Sequence, residues 1–413
     1  MSVRNTGTPK SLLARNAFIE NIRNKAAAAK ISNPQDNAVL ASPPTISTTT
    51  ASSATAGLTK AYRIFNGSNL NLTNFYTAGG APVVMYNAYA AFQCVTYPSG
   101  GNIGSGKHST AWAVEFMTDS PKFDLALGQG AYGFRLIVDG QYVSRTPTTG
   151  LSGSMPTFRT VDFTSAGGRK ARRIRVEGTL DLGFCGVNVA PTDRVWKPEA
   201  NDVVRCSIFG DSITAATGTS FTSDGWPFVM GQMLGWEVTS ASIGSTGYVT
   251  PGTYWKVADH LAADLALEPY DVIAFAAGIN DGGQSTATIT ANALACFQTA
   301  RATYPFAPII VFGSFGGSTG PSATWIGVEN AIAAAVTSLG DPNTYFVPIN
   351  TAPTPWIYGT GYVNAPQNNG NSDFYTGATN GSDNTHPTPV GHLYLGRVAA
   401  QAVRDLVIPN LRA

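Results

Sequence analysis

Residues 207–214 read SIFGDSIT. An apolar run suited to a buried strand stops at Gly210-Asp211-Ser212, which is turn chemistry: glycine frees the backbone, and short Asp and Ser side chains bond their own main chain. Working outward, VVRCSIFG (203–210) is followed by EVTSASIG (237–244), DVIAFAAG (271–278), PIIVFGSF (308–315) and TYFVPIN (344–350). Short apolar segments separated by helical stretches predict a five-stranded parallel sheet with helices on both faces. In such α/β folds the reactive groups collect at the carboxyl ends of the strands, where loops carry chemistry without disturbing the sheet.

Those ends hold Gly210-Asp211-Ser212, Gly244, Gly278-Ile279-Asn280-Asp281 and, near the C-terminus, Asp383-Asn384-Thr385-His386-Pro387. A serine hydroxyl is a poor nucleophile at neutral pH and needs an imidazole to take its proton. His386 is the candidate base, and Asp383 can orient its other nitrogen across one turn. The four blocks, in this order over roughly residues 200–410, resemble the SGNH (GDSL-type) hydrolases, with Ile213 where many members carry Leu.

The resemblance implies a flavodoxin-like three-layer domain with Ser212 as nucleophile, His386 as base and Asp383 as its partner. It also implies an oxyanion hole made of the Ser212 and Gly244 amides and the Asn280 side chain. Donors of that kind are worth on the order of 10²–10³ in rate each. Asp211 and Asp281 read as acceptors for loop amides behind the site. His392 reads as a packing or capping residue, with contact to the site as the lesser reading. GSFGGSTG (313–320) has no following Lys, so it reads as a mobile loop rather than a phosphate cradle. No cofactor is expected. Metal is not expected either, since His108 and His260 show no Cys or carboxylate partner at ligand spacing.

The rest of the chain has other textures. Of its 413 residues 43% are hydrophobic and 12% charged, enough apolar content for two cores, with polarity left to Ser, Thr, Asn and Gly. Lys plus Arg number 26 against 25 acidic residues, a balance that offers no field for nucleic acid or anionic lipid. No run of about 18 apolar residues suggests a membrane span, and the N-terminus lacks a signal-peptide core. The four cysteines are scattered and read as reduced and buried.

Three regions are expected. Residues 1–60 are a helical and low-complexity arm: Thr8 and Pro9 can start a helix with Leu12, Ile19, Ile22 and Ala26 on one face, which must be covered either by the same chain or by copies of itself, as in a trimer, with assembly of copies the preferred reading. From Asn37 to Lys60, 15 of 24 residues are Ala, Ser or Thr, which reads as a tether or loosely docked arm. Residues 61–195 alternate apolar and polar, with Asp139-Gly140 as a hairpin turn and GGRKARRIRVEG (167–178) as a strand with a solvated face, and predict an antiparallel, jelly-roll-like β-sandwich. Residues 196–413 are the hydrolase domain.

A loop of about 35 residues between Asn350 and Asp383 carries Trp356, Tyr358 and Tyr362 as candidate substrate contacts, together with Phe374 and Tyr375. The alternative reading uses these aromatics to pin the loop to its domain. A β-sandwich before an SGNH domain resembles the family-2 carbohydrate esterases. The expected function is therefore a serine esterase removing O-acetyl groups from a polysaccharide, such as bacterial O-antigen or capsule. The helical start and the absent signal suggest a phage tail-spike or tail-fibre deacetylase on a virion tail, with a cytoplasmic enzyme as the other setting. A lipase or lysophospholipase and a non-catalytic glycan-binding virion protein are the competing functions.

Overall fold

The computed structural model describes residues 12–28, 39–48, 51–85, 89–93, 111–128, 133–150, 156–179, 182–199, 203–252, 255–359, 361, 369–375 and 383–412. The chain forms two compact units, one of Gln35–Cys94 with Gly101–Asp202, the other of Met1–Pro34, Val95–Gly100 and Val203–Ala413.

The first unit is a sandwich of two antiparallel sheets, seven-stranded and six-stranded among the described residues. Alternation builds it: Ile174 and Val176 are buried in one shared core with Phe116, Phe123 and Phe184, while Arg173 and Arg175 turn outward. There the two arginines pair with Glu115 from the neighbouring strand. The strand expected in the basic stretch is thus Arg172–Thr179. Asp139 (φ 50°) and Gly140 (φ 84°) form the hairpin turn, both in the left-handed region that such turns require.

Two boundaries differ from the expectation. Val195 and Trp196 pair with Thr118 and Met117 in the six-stranded sheet, so the sandwich runs past residue 195. The Ala/Ser/Thr-rich segment is not a free tether: Thr45 and Ile46 pair with Asp162 and Val161, and Thr55 binds Asp124 through its amide (2.7 Å) and hydroxyl (2.9 Å). Edge pairing satisfies the backbone of a segment whose side chains are too small to build a core.

The second unit holds five parallel strands, β1 (Val204–Gly210), β2 (Trp236–Ser240), β3 (Val272–Ala276), β4 (Ile309–Phe312) and β5 (Thr344–Val347), in the order β2-β1-β3-β4-β5. Its helices are α1 (Leu12–Ala28), α2 (Trp226–Leu234), α3 (Val257–Leu265), α4 (Thr286–Thr303), α5 (Ala323–Leu339) and α6 (Pro389–Ala402). The β1-to-β2 crossover runs across the sheet opposite to the three that follow. Right-handed crossing therefore puts α2 on one face and α3, α4 and α5 on the other. The apolar face of α1 is covered inside this unit: Ile19, Ile22 and Ala26 are buried, and Arg23 donates to the Leu411 carbonyl at 2.9 Å. The expectation that this face assembles copies gives way to intrachain docking. No helix among the described residues is long and apolar enough to cross a membrane.

Candidate active site

β1 lies between β2 and β3, so the connections leaving β1 and β3 diverge in opposite directions and open a crevice at their carboxyl ends. Ser212 sits there. Its turn closes with the Ala215 amide on the Asp211 carbonyl (2.8 Å) and the Thr217 amide on the Ser212 carbonyl (3.0 Å). Thr214 Oγ1 ties the turn to the end of β3 through the Ala276 carbonyl at 2.9 Å.

His386 hangs from the loop before α6. Asp383 Oδ1 accepts the amides of Thr385 (2.9 Å) and His386 (3.1 Å), folding the loop back on itself, while Oδ2 lies 2.5 Å from His386 Nδ1. His386 Nε2 lies 2.8 Å from Ser212 Oγ. A carboxylate can only accept, so in the neutral ring Nδ1 carries the proton and Nε2 faces the hydroxyl as acceptor. The expected trio is therefore assembled in sequence Ser–His–Asp contact.

The residues expected to hold an oxyanion also gather at this crevice. Gly244 is exposed, and a Cβ there would meet only Ser212 Cβ, at 3.9 Å. Asn280 uses one N–H of its amide on the Thr246 carbonyl at 2.9 Å, which ties it to the loop carrying Gly244. Asp281 accepts the Tyr248 amide at 2.7 Å and the Thr250 amide at 2.9 Å. Gly247 makes this possible, because a Cβ there would stand 2.2 Å from Asp281 Oδ1. Asp211 is fully buried and accepts the Ile213 amide at 3.0 Å. Burial first, and then the Asp281 charge, push its carboxyl up to about 7.

The aromatic residues divide. Trp356 is 4% exposed, with its ring edge-on to Phe312 and Phe315, so it is a core residue and presents no face to a ligand. Tyr375 is buried as well, and its backbone bridges Pro387 beside His386. Tyr358 is 39% exposed, its backbone held by Asn371 Oδ1 at 3.0 Å. Tyr362, His108 and Cys94 lie outside the described residues. The composition of the 350–383 loop does not separate these roles, since the same residue type serves as pin and as platform.

Three features escape a reading of the sequence. The 313–320 loop is largely buried rather than mobile: the Ser318 amide donates to the Asn384 carbonyl at 2.9 Å and so props the Asp383–His386 loop. Half-buried Trp325 fills the space beside Gly282 and Gly316, where a Cβ would come within 2.8 Å and 2.9 Å of its ring. His260, expected without a carboxylate, pairs in the interior with Asp264 at 2.6 Å, one helical turn away on α3. The i,i+4 spacing was the available signal for that pair.

Residues 208–393 match the GDSL-like lipase/acylhydrolase family. They form a GDSL-type hydrolase domain. Solved structures agree in fold over most of the chain. A salicylyl-acyltransferase, SsfX3, from a tetracycline biosynthetic pathway is 16% identical with a TM-score of 0.61, covering 87% of this chain and 100% of that one. A family two carbohydrate esterase from Cellvibrio japonicus is 11% identical with a TM-score of 0.57, covering 86% and 99%. An acetyl xylan esterase from the rumen bacterium Butyrivibrio proteoclasticus is 15% identical with a TM-score of 0.53, covering 84% and 98%. No curated protein matches the sequence. The GDSL-type domain thus follows a sandwich in this chain, as the fold likeness extends over both.

Proposed function

We propose that this protein is a serine esterase that removes O-acetyl groups from a polysaccharide. The observation that carries the reading is the 2.8 Å contact of Ser212 Oγ with His386 Nε2, whose Nδ1 faces Asp383. In the proposed reaction Oγ attacks the acetyl carbonyl as its proton passes to His386. The tetrahedral oxyanion is met by the Ser212 and Gly244 amides and the Asn280 side chain. The C–O bond to the sugar then breaks, the imidazolium protonates the leaving oxygen, and water releases acetate from Ser212 by the reverse use of the same base.

Carbohydrate esterases and an acetyl xylan esterase among the structural neighbours support a sugar ester as substrate. Exposed Tyr358 and half-buried Trp325 are the aromatic groups we assign to the sugar, in place of Trp356. A bacterial surface glycan is the substrate we favour, with action from a virion tail as the proposed setting.

The test is acetate release from acetylated polysaccharides, xylan and bacterial O-antigens and capsules among them, by the wild type and by Ser212→Ala. Acetate release by the wild type and none by the variant is expected. Equal turnover by both would remove Ser212 from the chemistry, and a preference for long-chain over acetyl esters would favour the lipase reading.

A further inference from the structure

A second histidine is built into the same unit. His392 lies on the first turns of α6, six residues beyond His386, and is wholly buried. Its Nε2 lies 2.8 Å from the Thr217 carbonyl, and its Nδ1 accepts the Trp226 amide at 3.2 Å. One neutral tautomer satisfies both contacts: Nε2 donates and Nδ1 accepts. Each partner is a main-chain group on the segment that follows Ser212.

The two contacts do different work. Trp226 is the first residue of α2, Gly225 before it supplies no side-chain cap, and Pro227 after it has no N–H. The Trp226 amide is thus an orphan donor of a helix start, and the imidazole of another helix satisfies it. Thr217, in contrast, ends the nucleophile turn, since its amide donates to the Ser212 carbonyl at 3.0 Å. The adjoining Gly218 (φ 103°) runs against the His386 loop so closely that a Cβ would stand 2.1 Å from the Pro387 carbonyl. His392 is itself anchored to that loop, its amide donating to the Thr388 carbonyl at 2.8 Å.

We infer that His392 is a positioning residue for the Ser212–His386 pair. Its Nε2–H holds the turn of the nucleophile at a fixed distance from the loop of the base, and its Nδ1 only caps α2. A serine and an imidazole reached from elements 174 positions apart need such a fixed link, because nothing local sets their separation. The inference rests on the esterase reading for its kinetic consequence, though not for its geometry.

Two substitutions separate the two bonds. His392→Asn places an oxygen near the position of Nδ1 and cannot reach Thr217. His392→Gln carries an N–H to the position of Nε2. The expected result with p-nitrophenyl acetate is a kcat about tenfold lower for His392→Asn, at a KM and melting temperature near those of the wild type, and restoration by His392→Gln to within about twofold. Wild-type kcat in a folded His392→Asn variant overturns the inference, as does an equal loss in both variants that follows their melting temperatures. If the wild type releases no p-nitrophenol, the esterase reading fails instead. The ¹⁵N shift of His386 Nε2 then reports the same link: it moves in His392→Asn and stays in His392→Gln, and an unmoved shift in both overturns the inference.

Discussion

The carbonyl of Asn384 accepts the amide of Ser318 at 2.9 Å, so the first of the two residues between Asp383 and His386 is held from the loop that follows β4. Asn384 has φ 55°, a left-handed conformation that Asn and Gly adopt at least cost. Asn384→Gly is expected to keep activity. Asn384→Val, strained by roughly 1–2 kcal/mol in that conformation, is expected to displace the Asp383–His386 loop and lower kcat, as read in steady-state hydrolysis of p-nitrophenyl acetate.

Asp383 orients His386 from a half-exposed position, its side chain 49% accessible against 20% for the imidazole. Asp383→Asn keeps the size but offers an N–H where the ring needs an acceptor. A kcat loss of about 10³–10⁴ is expected, with KM little changed. A loss below tenfold would mean that water serves His386 as well as the carboxylate does.

Trp356 and Tyr358 are two positions apart and have opposite surroundings. Trp356→Ala removes a ring packed on Phe312 and Phe315 and is expected to cost about 3–5 kcal/mol in denaturant unfolding. Tyr358→Ala is expected to leave stability within about 0.5 kcal/mol. On an acetylated glycan it should raise KM roughly threefold to tenfold, the worth of one aromatic contact. An unchanged KM would remove Tyr358 from the sugar site.

Gly247 lies against the Asp281 carboxylate. Gly247→Ala must push that carboxylate off the Tyr248 and Thr250 amides, at a cost on the order of 3 kcal/mol. Asn280 is next to Asp281 in sequence, so kcat should fall with stability. A thermal melt and kcat measured on the same preparation check both.

Burial pulls the His392 imidazole down to about 4 from 6.5, with the His386 ring also disfavouring its charge and the Thr217 carbonyl and Asp224 opposing. Between these values the unfolded chain binds a proton that the folded chain refuses. This contribution to stability is therefore complete above about pH 6.5 and declines as pH falls toward 4, by roughly 3 kcal/mol in all. Asp211 has the opposite sign: raised from 3.8 to about 7, it favours the folded state at low pH and loses that effect as pH rises through 7. Urea unfolding of the wild type and His392→Gln from pH 4 to 7 isolates the histidine, and the difference between them should grow with pH. A flat difference would show that the ring is not held neutral.

The parallel sheet was legible because its inner strands are buried on both faces and so read as apolar runs, SIFG before Asp211, VIAFA before Ala277 or IIVF before Gly313. The order of blocks ending in Ser212, Gly244, Asn280 and His386 was legible for a related reason. A strand end that must turn sharply or approach another backbone demands Gly, Asp or Asn, and those letters stand out against the apolar runs. Trp356, the 313–320 loop and the Ala/Ser/Thr arm were not legible. Their letters permit both exposure and burial, and only the neighbours that fold against them choose.

By itself the sequence determined which residue types stand at the strand ends, and hence that a hydroxyl, an imidazole and a carboxylate were present for acyl chemistry. Hydrophobic periodicity and turn preferences are local properties, written within a few residues. The tertiary structure alone decided that Ser212 and His386 meet at 2.8 Å, that Ser318 props Asn384, and that His392 reaches Thr217 and Trp226. Those contacts join segments far apart in the chain, and their distances are set by how the sheet, its crossovers and α6 pack together.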